Sequence, residues 1–202
     1  MVDRQLRQRG IDDERVLAAM GEVPRELFLP EGARGEAYRD GAVGIGEGQT
    51  MSQPWIVACM TALLELRGDE TVLEVGTGSG YAAAVLSRVA RHVVTIERHS
   101  TLADQARSAL ARLGYENVDV RAGDGSQGAP DRAPFGGISV TATMEGAPPE
   151  PLLAELAPGA ALVGPVRRRG RELLIRFRGG ESIGYAAEPI VPVRFVPLVR
   201  DE

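Results

Sequence analysis

The chain has 202 residues, 44% of them apolar and 25% charged, with a net charge of −5. That length suits about one domain, and the composition excludes a disordered chain, a collagen and a disulfide scaffold. A net acidic chain also lacks the basic footprint of a nucleic-acid binder. All 23 basic residues are arginine, and Cys59 is the only cysteine. One thiol makes neither an internal disulfide nor a multi-cysteine zinc site. His92 and His99 flank a strand and are expected in surface or capping roles, so no metal site is expected. No run of about 18 apolar residues is present, and MVDRQLRQRG carries no apolar leader segment. The expectation is a cytoplasmic protein with neither a membrane nor a nucleic acid as partner.

Residues 3–20 carry a loose helical pattern through Leu6, Ile11, Val16, Leu17 and Met20, interrupted at Gly10. Residues 21–52 hold many Gly and Pro and read as a long loop, a length that points to function. Ser52 then suits an N-cap and Pro54 an early helical position, with Ile56, Val57, Met60, Leu63 and Leu64 giving helical spacing to about residue 66. From there strand and helix alternate. Strands are expected at 71–75, 92–97, 118–122, 138–142 and 160–165, and helices at 81–91, 101–113 and 151–157. This alternation of continuous apolar strands with helices predicts βαβ units and a largely parallel sheet covered on both faces. Residues 172–178 and 182–190 read as an antiparallel hairpin, with one more strand candidate at 193–199. The run Arg167, Arg168, Arg169 and Arg171 reads as a solvated hairpin tip beside Gly170.

The glycine loop carries the strongest local signal. Gly76, Gly78 and Gly80 recur at every second position between an apolar strand and a helix. Glycines there let the backbone approach a ligand, which the first N–H groups of the helix then face. A dinucleotide fingerprint requires G-x-G-x-x-G, but Tyr81 stands in place of its third glycine. The G-x-G-x-G form, preceded by Glu74 and interleaved with Thr77 and Ser79, resembles the loop of S-adenosylmethionine (SAM) methyltransferases. Glu97 ends the second strand 21 residues after Gly76, where a carboxylate accepts hydrogen bonds from both ribose hydroxyls. Arg98 follows it. Gly123-Asp124-Gly125 follows the third strand, at the carboxyl ends of the strands where open α/β sheets bind ligands. A tight turn, a solvated strand end and an Asp-Gly turn would explain these features singly. Their succession along one chain favours a nucleoside cofactor.

With IGEGQTMSQPWIVACMT (45–61) and APF (133–135) added, the chain resembles the protein-L-isoaspartate(D-aspartate) O-methyltransferase family. Further matching segments are VPRELFLP (23–30), AYRD (37–40), VLEVGTGSGYAAAVLS (72–87), TIER (95–98), GDGSQG (123–128), VTA (140–142) and RFVPL (194–198). The resemblance implies an α/β, Rossmann-like class I SAM-dependent methyltransferase fold. Its sheet is mostly parallel, with antiparallel C-terminal strands and additional N-terminal helices. One domain is expected, with 1–66 the N-terminal and active-loop region, 69–166 the SAM-binding core and 167–202 a C-terminal β extension. The implied reaction is methylation by SAM of the free α-carboxylate of L-isoaspartyl residues, with D-aspartyl residues as a further acceptor. Isoaspartyl proteins and peptides are then the partners of a monomeric repair enzyme. By the same resemblance, cofactor contacts fall on Gln49, Thr50, Met51, Ser52, Glu74, Gly76, Thr77, Gly78, Ser79, Gly80, Glu97, Arg98, Gly123, Asp124 and Gly125. Ser52 matches the position given as catalytic, with Thr50 assisting. Tyr38 and Asp40 match a segment ahead of the active loop and are held as loop anchors.

The chemistry suits these residue types. A carboxylate with an unperturbed pKa of about 4 is already ionised at neutral pH, so no general base is needed. What remains is orientation of oxygen, methyl carbon and sulfur. A serine hydroxyl at a helix N-terminus offers a hydrogen bond beside a dipole that favours an anion; the other role for Ser52 is a plain N-cap, contributing about 1 kcal/mol. Two other readings use the same residues: a carboxyl O-methyltransferase for aspartate in a dedicated peptide, and a non-catalytic SAM-binding domain. The family usually reads A-P-[FY]-D before its fourth strand, where this chain has Gly136, and VTATMEGAPPEPL (140–152) departs from its usual VTAAA run. Both stretches are expected at the sheet edge that carries the substrate.

Overall fold

The structure, a computed structural model, describes residues 1–179 and 185–200. The helix expected over 3–20 divides at Gly10, which turns at φ +88°. Short turns at Val2–Leu6 and Arg7–Arg9 precede α1 (Glu14–Glu22). The Asp13 carboxylate caps α1 by accepting from the Arg15 and Val16 N–H groups, and Val16, Leu17, Ala19 and Met20 form its buried face.

The stretch 21–52 is more ordered than a loop. It holds 3-10 turns at Arg25–Phe28 and Glu31–Glu36, then a hairpin of β1 (Val43–Gly46) and β2 (Gln49–Met51). Glu47 and Gly48 make the turn with φ of 51° and 68°, the positive values that a type I′ hairpin requires. α2 (Pro54–Leu63) follows with Gln53, not Ser52, as its N-cap, and no side chain caps it. Ser52 therefore lies one residue outside the position expected of it. Pro54 occupies the first turn, where its missing N–H costs nothing.

β3 (Thr71–Val75), α3 (Tyr81–Val89), β4 (His92–Glu97), α4 (Ser100–Arg112) and β5 (Val118–Ala122) alternate as expected. β6 (Phe135–Val140), β7 (Met144–Glu145), α5 (Glu150–Ala154), β8 (Leu156–Arg168), β9 (Arg171–Gly179) and β10 (Tyr185–Pro192) complete the chain. The sheet order is β10-β9-β8-β6-β3-β4-β5, with β7 beside β8. β8, β6, β3, β4 and β5 run parallel, and β9 and β10 antiparallel. Strand order reverses between β3 and β6, which makes the cleft at their carboxyl ends the switch point where open α/β sheets take ligands.

Alternate strand residues feed two cores. Val72, Val93 and Val163 pack with α1, α2 and α3 on one face, while Leu73, Val94 and Leu162 pack with Leu152 of α5 on the other. This period of two, apolar on both faces, is why the strands read as continuous apolar runs. Cys59 is buried, as expected. Arg169 and Gly170 form the β8–β9 turn at φ of 50° and 74°, the expected arginine-rich tip. Part of the strand expected at 182–190 lies outside the described residues.

The strand expected at 193–199 does not form. Pro197 lacks the N–H that a ladder needs. Instead the segment is pinned to Thr143, whose N–H donates to the Val196 carbonyl at 2.7 Å and whose carbonyl accepts from Leu198 N–H at 2.9 Å. Gly136 also lies elsewhere than expected. It opens β6 at the amino end of the parallel strands, against Glu70 just ahead of β3, on the side of the sheet away from the cleft. Among the described residues, no helix is long and apolar enough to cross a membrane.

Candidate active site

The glycine loop is held from two sides. Gly76 turns at φ +96°, and a Cβ there would lie 2.3 Å from Thr141 Oγ1. That hydroxyl donates to the carbonyls of Val75 at 3.0 Å and Gly76 at 2.7 Å, so the residue after β6 fastens the end of β3. Gly80 is the N-cap of α3 at φ +87°. Its bare Cα lets the loop close on Ala106 and Leu110 of α4.

Glu97 ends β4 and faces this loop. Its Oε2 accepts from Gly78 N–H at 2.8 Å, and its Oε1 from His99 N–H at 3.0 Å. Each carboxylate oxygen keeps a second lone pair for a ribose hydroxyl. Asp124 caps a 3-10 turn, Gly125–Gln127, by accepting from Ser126 N–H at 2.9 Å. Gly125 must be glycine, since a Cβ would lie 2.5 Å from Val75 Cγ1.

Beneath the loop lies a buried polar chain. Glu74 is fully buried. Its Oε2 accepts from Thr95 Oγ1 at 2.6 Å, and the Thr95 and Thr77 hydroxyls are 2.6 Å apart. Burial pushes the Glu74 carboxyl up to about 8, the Glu97 charge adding to the rise and the Thr95 bond opposing it. Its Oε1 has no acceptor or donor partner among the described residues. Glu74 thus supports the loop from below rather than lining the cleft.

Three spaces meet above the strands. One of about 540 Å³ is lined by Thr50, Met51, Ser52, Gly76, Thr77, Gly78, Ser79 and Tyr81. A second, of about 640 Å³, is lined by Gln49, Thr50, Gly76, Gly78, Glu97, Arg98, Gly125 and residues 196–199. A wider groove of about 1320 Å³ opens beside them along Ala42, Thr50, Ser52, Gln53 and residues 192–196. Thr50 and Thr141 border all three. The open backbone at Gly76 and Gly78 borders the first two, and the Glu97 carboxylate the second; these groups suit a nucleoside.

Most of the expected contact residues therefore converge. Gly80, Gly123 and Asp124 shape the loops without lining these spaces, as Glu74 does. Tyr38 and Asp40 do anchor the loop: the Tyr38 hydroxyl donates to Glu26, and Asp40 Oδ1 accepts from Gln53 Nε2 at 2.6 Å. Burial and the Glu26 bond push the Tyr38 phenol up to about 12. Met60 lines the first space, while the Trp55 indole donates to the Arg9 carbonyl at 3.2 Å.

The Ser52 hydroxyl has no hydrogen-bond partner among the described residues, and its carbonyl accepts from Arg25 Nη2. Arg25 is wholly buried behind the site. Burial lowers its guanidinium from the ordinary value, and Tyr81 partly restores it. Arg25, Thr95, Thr141 and the 196–199 wall were not among the expected site residues. The Thr141 contact has a signal in the V-T-A that follows an apolar strand; the others have none that periodicity reveals.

A profile of the protein-L-isoaspartate(D-aspartate) O-methyltransferase family matches residues 1–202. A protein-L-isoaspartate O-methyltransferase of Rhodopseudomonas palustris is 52% identical, covering 100% of this chain and 93% of its own. One from Pelotomaculum thermopropionicum is 51% identical over 100% of this chain and 88% of its own. Among solved structures, a protein-L-isoaspartate O-methyltransferase superimposes with a TM-score of 0.84 at 29% identity, over 98% of this chain and 65% of that one. A Plasmodium falciparum structure in complex with S-adenosyl-L-homocysteine matches the fold with a TM-score of 0.83 at 24% identity, over 99% and 97% of the two chains. On its full-length match and this arrangement of loops, the chain belongs to the protein-L-isoaspartate(D-aspartate) O-methyltransferase family.

Proposed function

We propose that this chain methylates the free α-carboxylate of L-isoaspartyl residues, with Ser52 and Thr50 holding the acceptor. The observation that carries the reading is the placement of Ser52. It is not the N-cap of α2, its hydroxyl is unbonded among the described residues, and it borders both the space beside the glycine loop and the open groove.

The cosubstrate is SAM, whose C–S bond breaks as the acceptor oxygen bonds to the methyl carbon, leaving S-adenosylhomocysteine. Glu97 and the backbone of Gly76 to Ser79 would hold the nucleoside end. Ser52 donates one hydrogen bond to the acceptor carboxylate, and Thr50, at the junction of all three spaces, fixes its approach. Because the carboxylate is ionised at neutral pH, these residues supply position and not a base. The groove along residues 192–196 is the space offered to the acceptor peptide. The methyl ester then closes to a succinimide with loss of methanol, and hydrolysis partly restores aspartate.

The test is methyl transfer from labelled SAM to two peptides that differ only in Asp versus isoAsp at one residue, read as base-labile methanol. Label on the isoAsp peptide alone is expected. Label on neither peptide, with SAM bound, would sink the reading and favour a dedicated acceptor.

A further inference from the structure

Arg25 is among the largest fully buried side chains, and it forms no ion pair among the described residues. Its Nε donates to the Ala37 carbonyl at 2.6 Å, and its Nη2 to the Ser52 carbonyl. Its Cζ stands 4.7 Å from the centroid of the Tyr81 ring. Nη1 has no acceptor among the described residues, so that edge of the guanidinium depends on the aromatic face. A buried cation is costly to keep, and apolar residues of similar volume often serve a core as well or better. Retention of an arginine here therefore calls for a local reason.

The three contacts supply one. Ala37 belongs to the segment before the hairpin. Ser52 ends the acceptor-side segment. Tyr81 follows Gly80 directly and opens α3 on the cofactor side. A planar fork can bond two carbonyls and stack on a ring at once, which an ammonium cannot.

We propose that Arg25 is a positioning residue for methyl transfer: it fixes Ser52 against the first turn of α3 and so sets the acceptor-side segment relative to the glycine loop. The proposal rests on the assignment of Ser52 to the acceptor. It acts on geometry between the two reactants rather than on the affinity for either.

The experiment compares Arg25→Met and Arg25→Lys with the wild type and with Ser52→Ala. Turnover of an isoaspartyl peptide, SAM binding by calorimetry and thermal unfolding are measured for each. A misplacement near 1 Å is expected to lower kcat about 100-fold in Arg25→Met, with the SAM Kd within about threefold. Arg25→Lys, which keeps the charge and one carbonyl contact, is expected to fall between Arg25→Met and the wild type. Folded variants with wild-type kcat would overturn the proposal, as would a loss of SAM affinity in proportion to kcat. Failure of both variants to unfold cooperatively would assign Arg25 to the core and overturn it too. Ser52→Ala separates the two readings. If it lowers kcat while the Arg25 variants do not, only the Arg25 proposal fails; if it leaves kcat unchanged, the acceptor assignment fails and takes the proposal with it.

Discussion

Thr95 and Glu74 face each other across β4 and β3, joined by a 2.6 Å hydrogen bond in a fully buried pair. The folded chain holds the Glu74 proton up to about 8, against an ordinary value of 4.5. The protonated form thus favours the folded state. Its contribution is fully present below about pH 4.5 and is lost as pH rises through about 8, because the unfolded chain gives up the proton first. Glu74→Gln should flatten this decline. Urea unfolding at about pH 6 and about pH 8.5 is the check, and parallel declines in variant and wild type would mean Glu74 is ionised in the fold.

Ser52→Ala should lower kcat for an isoaspartyl peptide about 100-fold, the loss seen when one preorganised donor to a reacting oxygen is removed. SAM affinity should hold, because the glycine loop and Glu97 are untouched. Calorimetry beside turnover decides; equal loss of both would make the residue structural.

Gly76→Ala should disable the cofactor side. Its Cβ would sit 2.3 Å from Thr141 Oγ1 at φ +96°, and strain of this kind costs of order 1–3 kcal/mol. Either the loop or the Thr141 clasp must shift. Weaker SAM binding and a lower unfolding midpoint are expected together, and normal SAM affinity would show that the loop tolerates the methyl group.

Gly136→Asp installs the residue that the family resemblance led us to expect there. Its Cβ would meet Glu70 Cγ at 2.4 Å and Cβ at 2.5 Å, and Glu70 is committed to the Arg67 and Gly68 N–H groups. Crowding should cost roughly 1–3 kcal/mol of stability. Since the position lies at the far end of the sheet, kcat/KM for an isoaspartyl peptide should not change. A changed acceptor preference would contradict that placement.

Three strands of the parallel half were legible from their apolar residues and from the helical patterns between them, whereas β6 and β8 start three and four residues earlier than expected. β3, β4 and β5 begin and end where the pattern does. The β1–β2 hairpin was not, because its strands are only four and three residues long and two of those positions are Gly44 and Gly46. Its signal was Glu47-Gly48, a turn pair. Ser52 looked like a helix cap because serine before Gln-Pro satisfies the local rule; the helix starts one residue later, and its hydroxyl is left for the cleft. Residues 193–199 have strand-like composition, yet Pro197 denies the ladder a donor. Arg25 was invisible for a different reason. A charged residue in a 3-10 turn reads as solvated, and only the packing of Ala37, Ser52 and Tyr81 around it shows otherwise.

Asp40-Gly41 and Asp124-Gly125 are the chain's two Asp-Gly pairs. Such a pair isomerises when the glycine nitrogen attacks the aspartyl side chain, the start of the lesion this family corrects. Both carboxylates are engaged elsewhere. Asp40 accepts from Arg9 Nη1 at 3.1 Å and Gln53 Nε2 at 2.6 Å, and Asp124 is turned to Ser126 N–H at 2.9 Å. Gly125 is wedged under Val75 besides. Peptide mapping after storage should find isoaspartate at 40 and 124 in urea-treated protein and little in the native form. That outcome would mean that the hydrogen bonds engaging Asp40 and Asp124 also slow the molecule's own ageing, and keep a repair catalyst built this way from becoming its own principal client.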